Sequence, residues 1–227
     1  MRNYPGHKKR DGVYHKIINE IPSCEIYREL FAGSAAIASL LSMPEAQIHL
    51  NEKDPKVFQD LRFAFPSKIV TNDCAISVIQ NLPSKTKRKE VIYLDPPYRH
   101  NSRPQNTMIY DFEMTDDDHE QLLLAVLEKK DEYNFLIQHP DDEMYNEFLK
   151  GWRKTPIKMR YHRKTQIEIL YSNYDAPTAL QDYSYLGDDR HERQRIKRKG
   201  DRLISKLMKL PQLEMRYVLD RLKVLEK

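Results

Sequence analysis

The tetrapeptide Asp95-Pro96-Pro97-Tyr98 follows directly on Val91–Leu94, a run apolar enough to be a strand buried on both faces. Two successive prolines donate no backbone hydrogen bond and stiffen the loop. Their carbonyls and the Asp95 carboxylate therefore form a convergent set of acceptors beside an aromatic face. A flat ring carrying an exocyclic amine meets both demands, as a nucleobase does. Asp95 and the Pro96 carbonyl accept the two amine hydrogens, which localises the nitrogen lone pair, while Tyr98 stacks on the ring. A proline turn that merely ends a strand is the alternative reading of the same residues.

A second constellation is Phe31-Ala32-Gly33-Ser34-Ala35, where Gly33 ends a strand and lets a ligand approach backbone amides. Glu52 lies nineteen residues beyond Gly33, at the tip of the next expected strand, where a carboxylate can accept two ribose hydroxyls. A glycine turn with an acidic partner suits a nucleoside cofactor, and it equally suits an ordinary strand–helix turn. The eight histidines lack i, i+4 or cysteine-partnered spacing, and no metal site is expected. Asp116–Asp118 and Asp141–Glu143 read as helix N-terminal charges, and Trp152 as a core or interface aromatic.

The elements that must position these residues alternate. Ile26–Phe31 reads as a strand and Ala35–Leu41 as a helix with Ile37, Leu40 and Leu41 on one face. Gln47–Leu50 is a strand, and Asp54–Phe65 a helix that Asp54 caps and Pro55 starts. Lys68–Thr71 and Ala75–Leu82 repeat the unit, Thr115 and Asp118 cap a further helix, and Tyr133–Ile137 is the next strand. Ile157, Met159 and Tyr161, then Ile167, Ile169 and Tyr171, alternate with polar neighbours about Arg163–Lys164, as in an antiparallel hairpin. The expected fold is α/β: a doubly wound, mostly parallel sheet closed by that hairpin, with C-terminal helices whose apolar positions include Ile196, Leu203, Leu207, Val218 and Leu222. Ligands bind such sheets beyond the carboxyl ends of the strands, which is where both constellations fall.

At 227 residues the chain suits one sizeable domain, here 1–184, with an appendage at 185–227. With 32% charged residues and a mean hydropathy of −0.77, it has no membrane-spanning run. The first thirty residues hold no secretory apolar stretch, and the two cysteines, Cys24 and Cys74, form no framework, so a reducing, cytoplasmic setting is expected. The net charge of +4 conceals segregation: residues 1–16, 85–89 and 190–206 together carry +14, leaving −10 on the rest. Basic stretches on an otherwise acidic chain suit a phosphate-tracking surface, and solvated helix faces are the competing explanation.

Over residues 4–174 the sequence resembles the Dam-like class of DNA N6-adenine methyltransferases, especially its small phage-borne members. Tyr4-Pro5-Gly6-His7-Lys8 with Gly12-Val13-Tyr14 is similar to that family's N-terminal cofactor motif. Glu29–Ala35 is similar to its glycine motif, and Asp95–Tyr98 to its catalytic tetrapeptide. Tyr110, Phe112, Met114-Thr115-Asp116 and His119 are similar to a stretch that follows the catalytic loop, and Glu168–Tyr174 to a late hairpin motif.

The resemblance implies a Rossmann-like methyltransferase fold and S-adenosylmethionine as methyl donor, leaving S-adenosylhomocysteine. It further implies that Tyr4, Lys8, Phe31, Ala32, Gly33, Glu52, Asp73 and Asp95 form the cofactor site, with Asp95, Pro96, Pro97 and Tyr98 catalytic. The substrate so implied is adenine in duplex DNA, flipped into a pocket bounded by Tyr98 and Tyr174. Here Ala35 replaces the second glycine of the turn, Leu30 a proline and His7 a common glycine. Only about 60 residues separate the glycine turn from Asp95, too few for an inserted target-recognition domain. Arg99, Arg103, Asn106 and the tail residues Arg195 and Arg198 are therefore the expected nucleic-acid contacts. A homodimer through the tail is the other use of its apolar stripe. A cytosine-N4 enzyme, an RNA or protein-amide methyltransferase, and a DNA-binding module without turnover are the rival functions.

Overall fold

The structure, a computed structural model, describes residues 13–84, 89–99, 112–161 and 164–223. Tyr4, Lys8, Arg103 and Asn106 lie outside the described residues. The strands are β1 (Ile26–Glu29), β2 (Ile48–Asn51), β3 (Ile69–Thr71), β4 (Glu90–Leu94), β5 (Asn134–Pro140), β6 (Arg153–Tyr161) and β7 (Lys164–Ser172). They form a seven-stranded sheet in the order β3-β2-β1-β4-β5-β7-β6. β1 to β5 pair in parallel, whereas β7 runs antiparallel to both β5 and β6. The chain steps outward from β1 to β3, then returns to lay β4 on the other side of β1. Such a reversal opens a crevice beyond the carboxyl ends of β1 and β4.

Local chemistry sets the helices between the strands. Asp54 caps α2 (Pro55–Ala64) by accepting the Lys56 and Val57 amides at 2.8 and 3.4 Å. Thr115 and Asp118 form a reciprocal capping box on α4 (Asp116–Lys129). Asp142 caps α5 (Glu143–Phe148) through the Met144 amide at 3.0 Å. Helix α1 covers Val13–Ile18 and α3 covers Ala75–Gln80. Ile92 and Leu94 of β4, with Phe135 and Ile137 of β5, pack into one core with Ile79, Leu122, Val126 and Tyr145 from the helices. All five residues of β4 are buried, as a strand covered on both faces must be.

Two elements depart from the pattern in the sequence. Residues 35–41 form turns, not the expected helix. Ala35 adopts a left-handed φ of 49°, and the Ala38 amide, which would bond within a helix, donates to the Glu29 carboxylate at 3.0 Å. The hairpin forms, but β7 is not half-exposed. Ile167 is 52% exposed, whereas Glu168 and Tyr171 are fully buried and Leu170 nearly so. β7 lies between β5 and β6, so both its hydrogen-bonding edges are paired, and the edge position falls to β6, where Pro156 is tolerated.

The chain divides into two compact units, Met1–Ser184 and Tyr185–Lys227. The second holds α6 (Arg190–Leu207) and α7 (Gln212–Lys223), neither of which has a buried side chain. Asp189 caps α6 through the Glu192 amide at 2.8 Å. Leu203, Ile204, Met208, Leu213 and Tyr217 are all exposed.

Candidate active site

The two constellations meet at the reversal of the sheet. Leu30, just past β1, donates its amide to the Tyr93 carbonyl of β4 at 3.2 Å, and Ala32 donates to Asn51 at the end of β2 at 3.0 Å. The buried Asn51 amide group donates to the carbonyls of Leu30 and Asp73 at 3.2 and 3.0 Å, stitching together the tips of β1, β2 and β3. The glycine turn, Glu52, Asp73 and the proline corner thus share one end of the sheet.

Gly33 takes a left-handed φ of 48°, which only glycine adopts without strain. Its amide is not left bare for a ligand. It donates to Glu52 Oε2 at 2.8 Å, and Asp54 donates to Oε1 at 3.0 Å. The sequence pairing of Gly33 with Glu52 is therefore a direct contact. Glu52 is only 8% exposed, and burial raises its carboxyl above the ordinary 4.5 despite the opposing amide hydrogen bonds. Phe31 is half-buried, and Ala32 is buried beside it.

Asp95 and Pro97 are half-buried and Pro96 is buried at the β4 tip. Burial first, then the Asp95 charge, with Tyr27, Glu29 and Glu168 adding, pushes the Tyr93 phenol well above its ordinary range. Carboxylates from the loop after β4, from β1 and from β7 therefore act on one tyrosine. Tyr93 donates its hydroxyl to Gln138 Oε1 at 2.6 Å, and Gln138 Nε2 donates to Glu168 Oε2. Tyr98 closes the chain by donating its hydroxyl to Glu168 Oε1 at 2.7 Å. Gln138 and Glu168 are both fully buried.

Arg99 takes a different partner from the one expected. Its Nε donates to Asp116 at 2.9 Å and its terminal nitrogen to Asp142 at 2.9 and 3.1 Å, leaving the side chain 12% exposed. These two carboxylates, read from sequence only as helix N-terminal charges, consume the guanidinium and tie the exit of the proline corner to the starts of α4 and α5. The Arg99 amide also donates to His139 Nε2 at 3.3 Å, and His139 Nδ1 lies 3.0 Å from the Pro140 carbonyl. That pairing needs the neutral ring, with the proton on Nδ1. Burial depresses His139 to about 3 and His119 to about 4. The His139 ring stacks on Tyr145 at 3.8 Å and meets Tyr98 edge-on at 5.5 Å.

Tyr174 stands at the wrong end of the sheet to bound a base pocket. Strand β7 reaches its last residue, Ser172, opposite Leu136 near the start of β5, and the Tyr174 hydroxyl donates to the Glu20 carbonyl at 2.9 Å. It lines a separate cavity of 430 Å³ with Lys130, Trp152, Arg153 and Asn173. An antiparallel strand carries its C-terminal end away from the site and its N-terminal end toward it, which is why Glu168 is at the site instead. The sequence signal for Glu168 is a carboxylate amid an otherwise apolar strand stretch; Gln138 and His139 carry a similar signal in Phe135–Ile137 and beyond. Arg195 and Arg198 sit on α6 in the second unit, where the Arg195 side chain is 64% exposed. Among the described residues no cluster of His, Cys, Asp or Glu could hold a metal ion.

A parallel sheet reversing between β1 and β4, with one antiparallel strand inserted before the last, is a Rossmann-like methyltransferase fold. The family model described as D12 class N6 adenine-specific DNA methyltransferase matches residues 46–169, more than half of the chain, and the protein belongs to that family. It is accordingly an S-adenosylmethionine-dependent methyltransferase. No curated protein matches the sequence. Among solved structures, a provisionally named methylase of Haemophilus influenzae is similar at 15% identity and a TM-score of 0.45, covering 73% of this chain and 96% of its own. A provisionally named methyltransferase of Escherichia coli has 16% identity and a TM-score of 0.46, with 77% and 91% covered. The precorrin 8W decarboxylase of Methanobacterium thermoautotrophicum has 11% identity and a TM-score of 0.44, with 76% and 94% covered. These are likenesses of fold.

Proposed function

We propose that this methyltransferase acts on the exocyclic N6 amine of adenine in duplex DNA, with the base turned out of the helix onto the Asp95–Tyr98 corner. The observation that carries the reading is the contact between the β1 and β4 tips, which sets that corner beside the glycine turn.

The residues present fit the cofactor. A carboxylate has about four acceptor positions, so Glu52, oriented by the Gly33 and Asp54 amides, retains capacity for ribose hydroxyls. Phe31, Ala32 and Gly33 would line the same side, Asp73 would lie toward the adenine part, and Tyr4 and Lys8 would complete the site from the N-terminal segment. When bound, the sulfonium supplies a methyl group already activated for transfer. The protein's part is alignment. Asp95 and the Pro96 carbonyl accept the amine hydrogens, Tyr98 holds the ring plane, and the buried tips exclude water, bringing the nitrogen to roughly 3 Å from its target carbon. The extra proton of the product amine leaves by way of the Asp95 carboxylate. No covalent nucleophile is needed.

Contacts to the DNA backbone fall to Arg195 and Arg198 on α6 and to Arg103 and Asn106. The exposed apolar residues of α6 and α7 support a second use of that unit, pairing with another copy. No described helix is long and apolar enough to cross a membrane, and two free cysteines favour a reducing, cytoplasmic setting for the enzyme.

The test is transfer of tritiated methyl groups from S-adenosylmethionine to duplex DNA, single strands and RNA, followed by digestion to nucleosides. Label in N6-methyl-2′-deoxyadenosine from duplex DNA is the expected result. Label in N4-methyl-2′-deoxycytidine or in RNA alone would overturn it, and a gel shift with no incorporation would favour a binding module.

A further inference from the structure

We infer that Glu168 and Gln138 are positioning residues for the reaction, setting the plane of the Tyr98 ring on which the target base stacks. The inference rests on the proposed role of Tyr98 in receiving that base.

Tyr98 belongs to a loop beyond the β4 tip, and a loop ring has rotational freedom that a stacking platform cannot afford. Its hydroxyl is held by Glu168 Oε1 at 2.7 Å, across 70 residues of sequence. The other carboxylate oxygen accepts from Gln138 Nε2, and Gln138 Oε1 accepts the Tyr93 hydroxyl at 2.6 Å, so the chain ends on β4 itself, the strand that delivers the corner. Tyr93, Gln138 and Glu168 sit on three adjacent strands and are each at most 1% exposed. Buried polar chains of this kind are rigid because each member's loss strands another without water to replace it. The edge contact of His139, at 5.5 Å and an interplanar angle of 73°, adds a ring contact to that hydrogen bond. Together these fix both the tilt and the reach of Tyr98.

The chain also predicts a rescue. In Glu168→Gln the new carboxamide oxygen can accept from Gln138 Nε2, which leaves the Tyr93–Gln138 link untouched. Its nitrogen can donate to the Tyr98 hydroxyl oxygen, so only the last link, at the half-buried Tyr98, changes direction. Glu168→Leu can do neither.

The experiment uses the full chain. A fluorine label on the Tyr98 ring is followed by NMR without DNA, and methyl transfer to adenine in duplex DNA is measured for Tyr98→Phe, Glu168→Gln, Glu168→Leu and the Tyr98→Phe/Glu168→Leu pair. The label is expected at one displaced position in the unsubstituted protein and in Glu168→Gln, and at the position of a solvent-exposed tyrosine in Glu168→Leu. Tyr98→Phe and Glu168→Leu should each lower kcat about tenfold, with cofactor affinity unchanged and no further loss in the pair, while Glu168→Gln stays near the unsubstituted rate. An unmoved label, additive losses, or equal loss in Glu168→Gln and Glu168→Leu would each overturn the inference. Should Glu168→Leu not fold, loss in Tyr98→Phe against retention in Glu168→Gln carries the same comparison. Absence of adenine methylation by the unsubstituted protein would instead count against the proposed function, and the label would still decide the positioning role.

Discussion

The Leu30 amide donates to the Tyr93 carbonyl at 3.2 Å, so the chain leaving β1 for Gly33 and the chain leaving β4 for Asp95 start side by side. That hydrogen bond, at the end of the β1–β4 pairing, keeps the glycine turn and the proline corner together.

Asp95→Ala is expected to lower methyl transfer by about 100-fold or more, because the amine loses the acceptor that orients it. Cofactor binding, measured by calorimetry, should be largely retained, since Glu52 and the Gly33 turn are untouched. Turnover close to that of the unsubstituted enzyme would refute the acceptor role.

Burial raises the Glu52 carboxyl above 4.5, and hydroxyl donors bind its ionised form. Cofactor affinity should therefore weaken as pH falls, starting at a higher pH than for an ordinary glutamate, and binding in that range should release protons. For folding the sign is opposite. The folded chain holds this proton more tightly than the unfolded one, so ionisation removes stability as pH rises through the raised pKa. Calorimetry in buffers of different ionisation enthalpy reads the proton release, and its absence would argue against Glu52 as a cofactor ligand.

Arg99→Gln leaves the Asp142 carboxylate, 6% exposed, without its cation. A loss of about 2 kcal/mol in unfolding free energy is expected, with lower activity because the exit of the proline corner is released. The salt dependence of DNA binding should not change, since the guanidinium is already neutralised within the protein.

Arg195→Gln with Arg198→Gln should do the reverse, leaving thermal stability intact and flattening the slope of log K against log salt by about two. Filter binding at several salt concentrations measures it, and an unchanged slope would return α6 to a packing or pairing role.

His119 and His139 are depressed from 6.5 to about 4 and about 3. Below pH 6.5 the unfolded chain binds more protons than the folded one. The stability they contribute is thus complete above that pH and is lost progressively as pH falls toward 4 and then 3. Denaturation across this range should show a pH slope that His139→Phe reduces. An unchanged slope would mean that the ring is not held neutral.

What the sequence determined by itself is what short-range chemistry controls. Asp54 before Pro55, and Thr115 with Asp118, announce their helices because a cap is a contact within three residues. The uniformly apolar Val91–Leu94 implies a strand covered on both faces, and the proline corner after it is stiff whatever surrounds it. Even Gly33 and Glu52 are legible as a pair, since two consecutive parallel strands put their tips together.

Tertiary structure decided the rest, because strand direction and pairing are properties of distant segments. An antiparallel β7 exchanges the ends of the hairpin motif, sending Tyr174 away from the site and bringing Glu168 to it. The Glu29 carboxylate takes the Ala38 amide and helps to replace an expected helix with turns. Asp116 and Asp142 claim Arg99 only because α4 and α5 begin beside the corner. A side chain's charge and length are written in the chain, whereas the partner that satisfies it is fixed only when the sheet brings the two within reach.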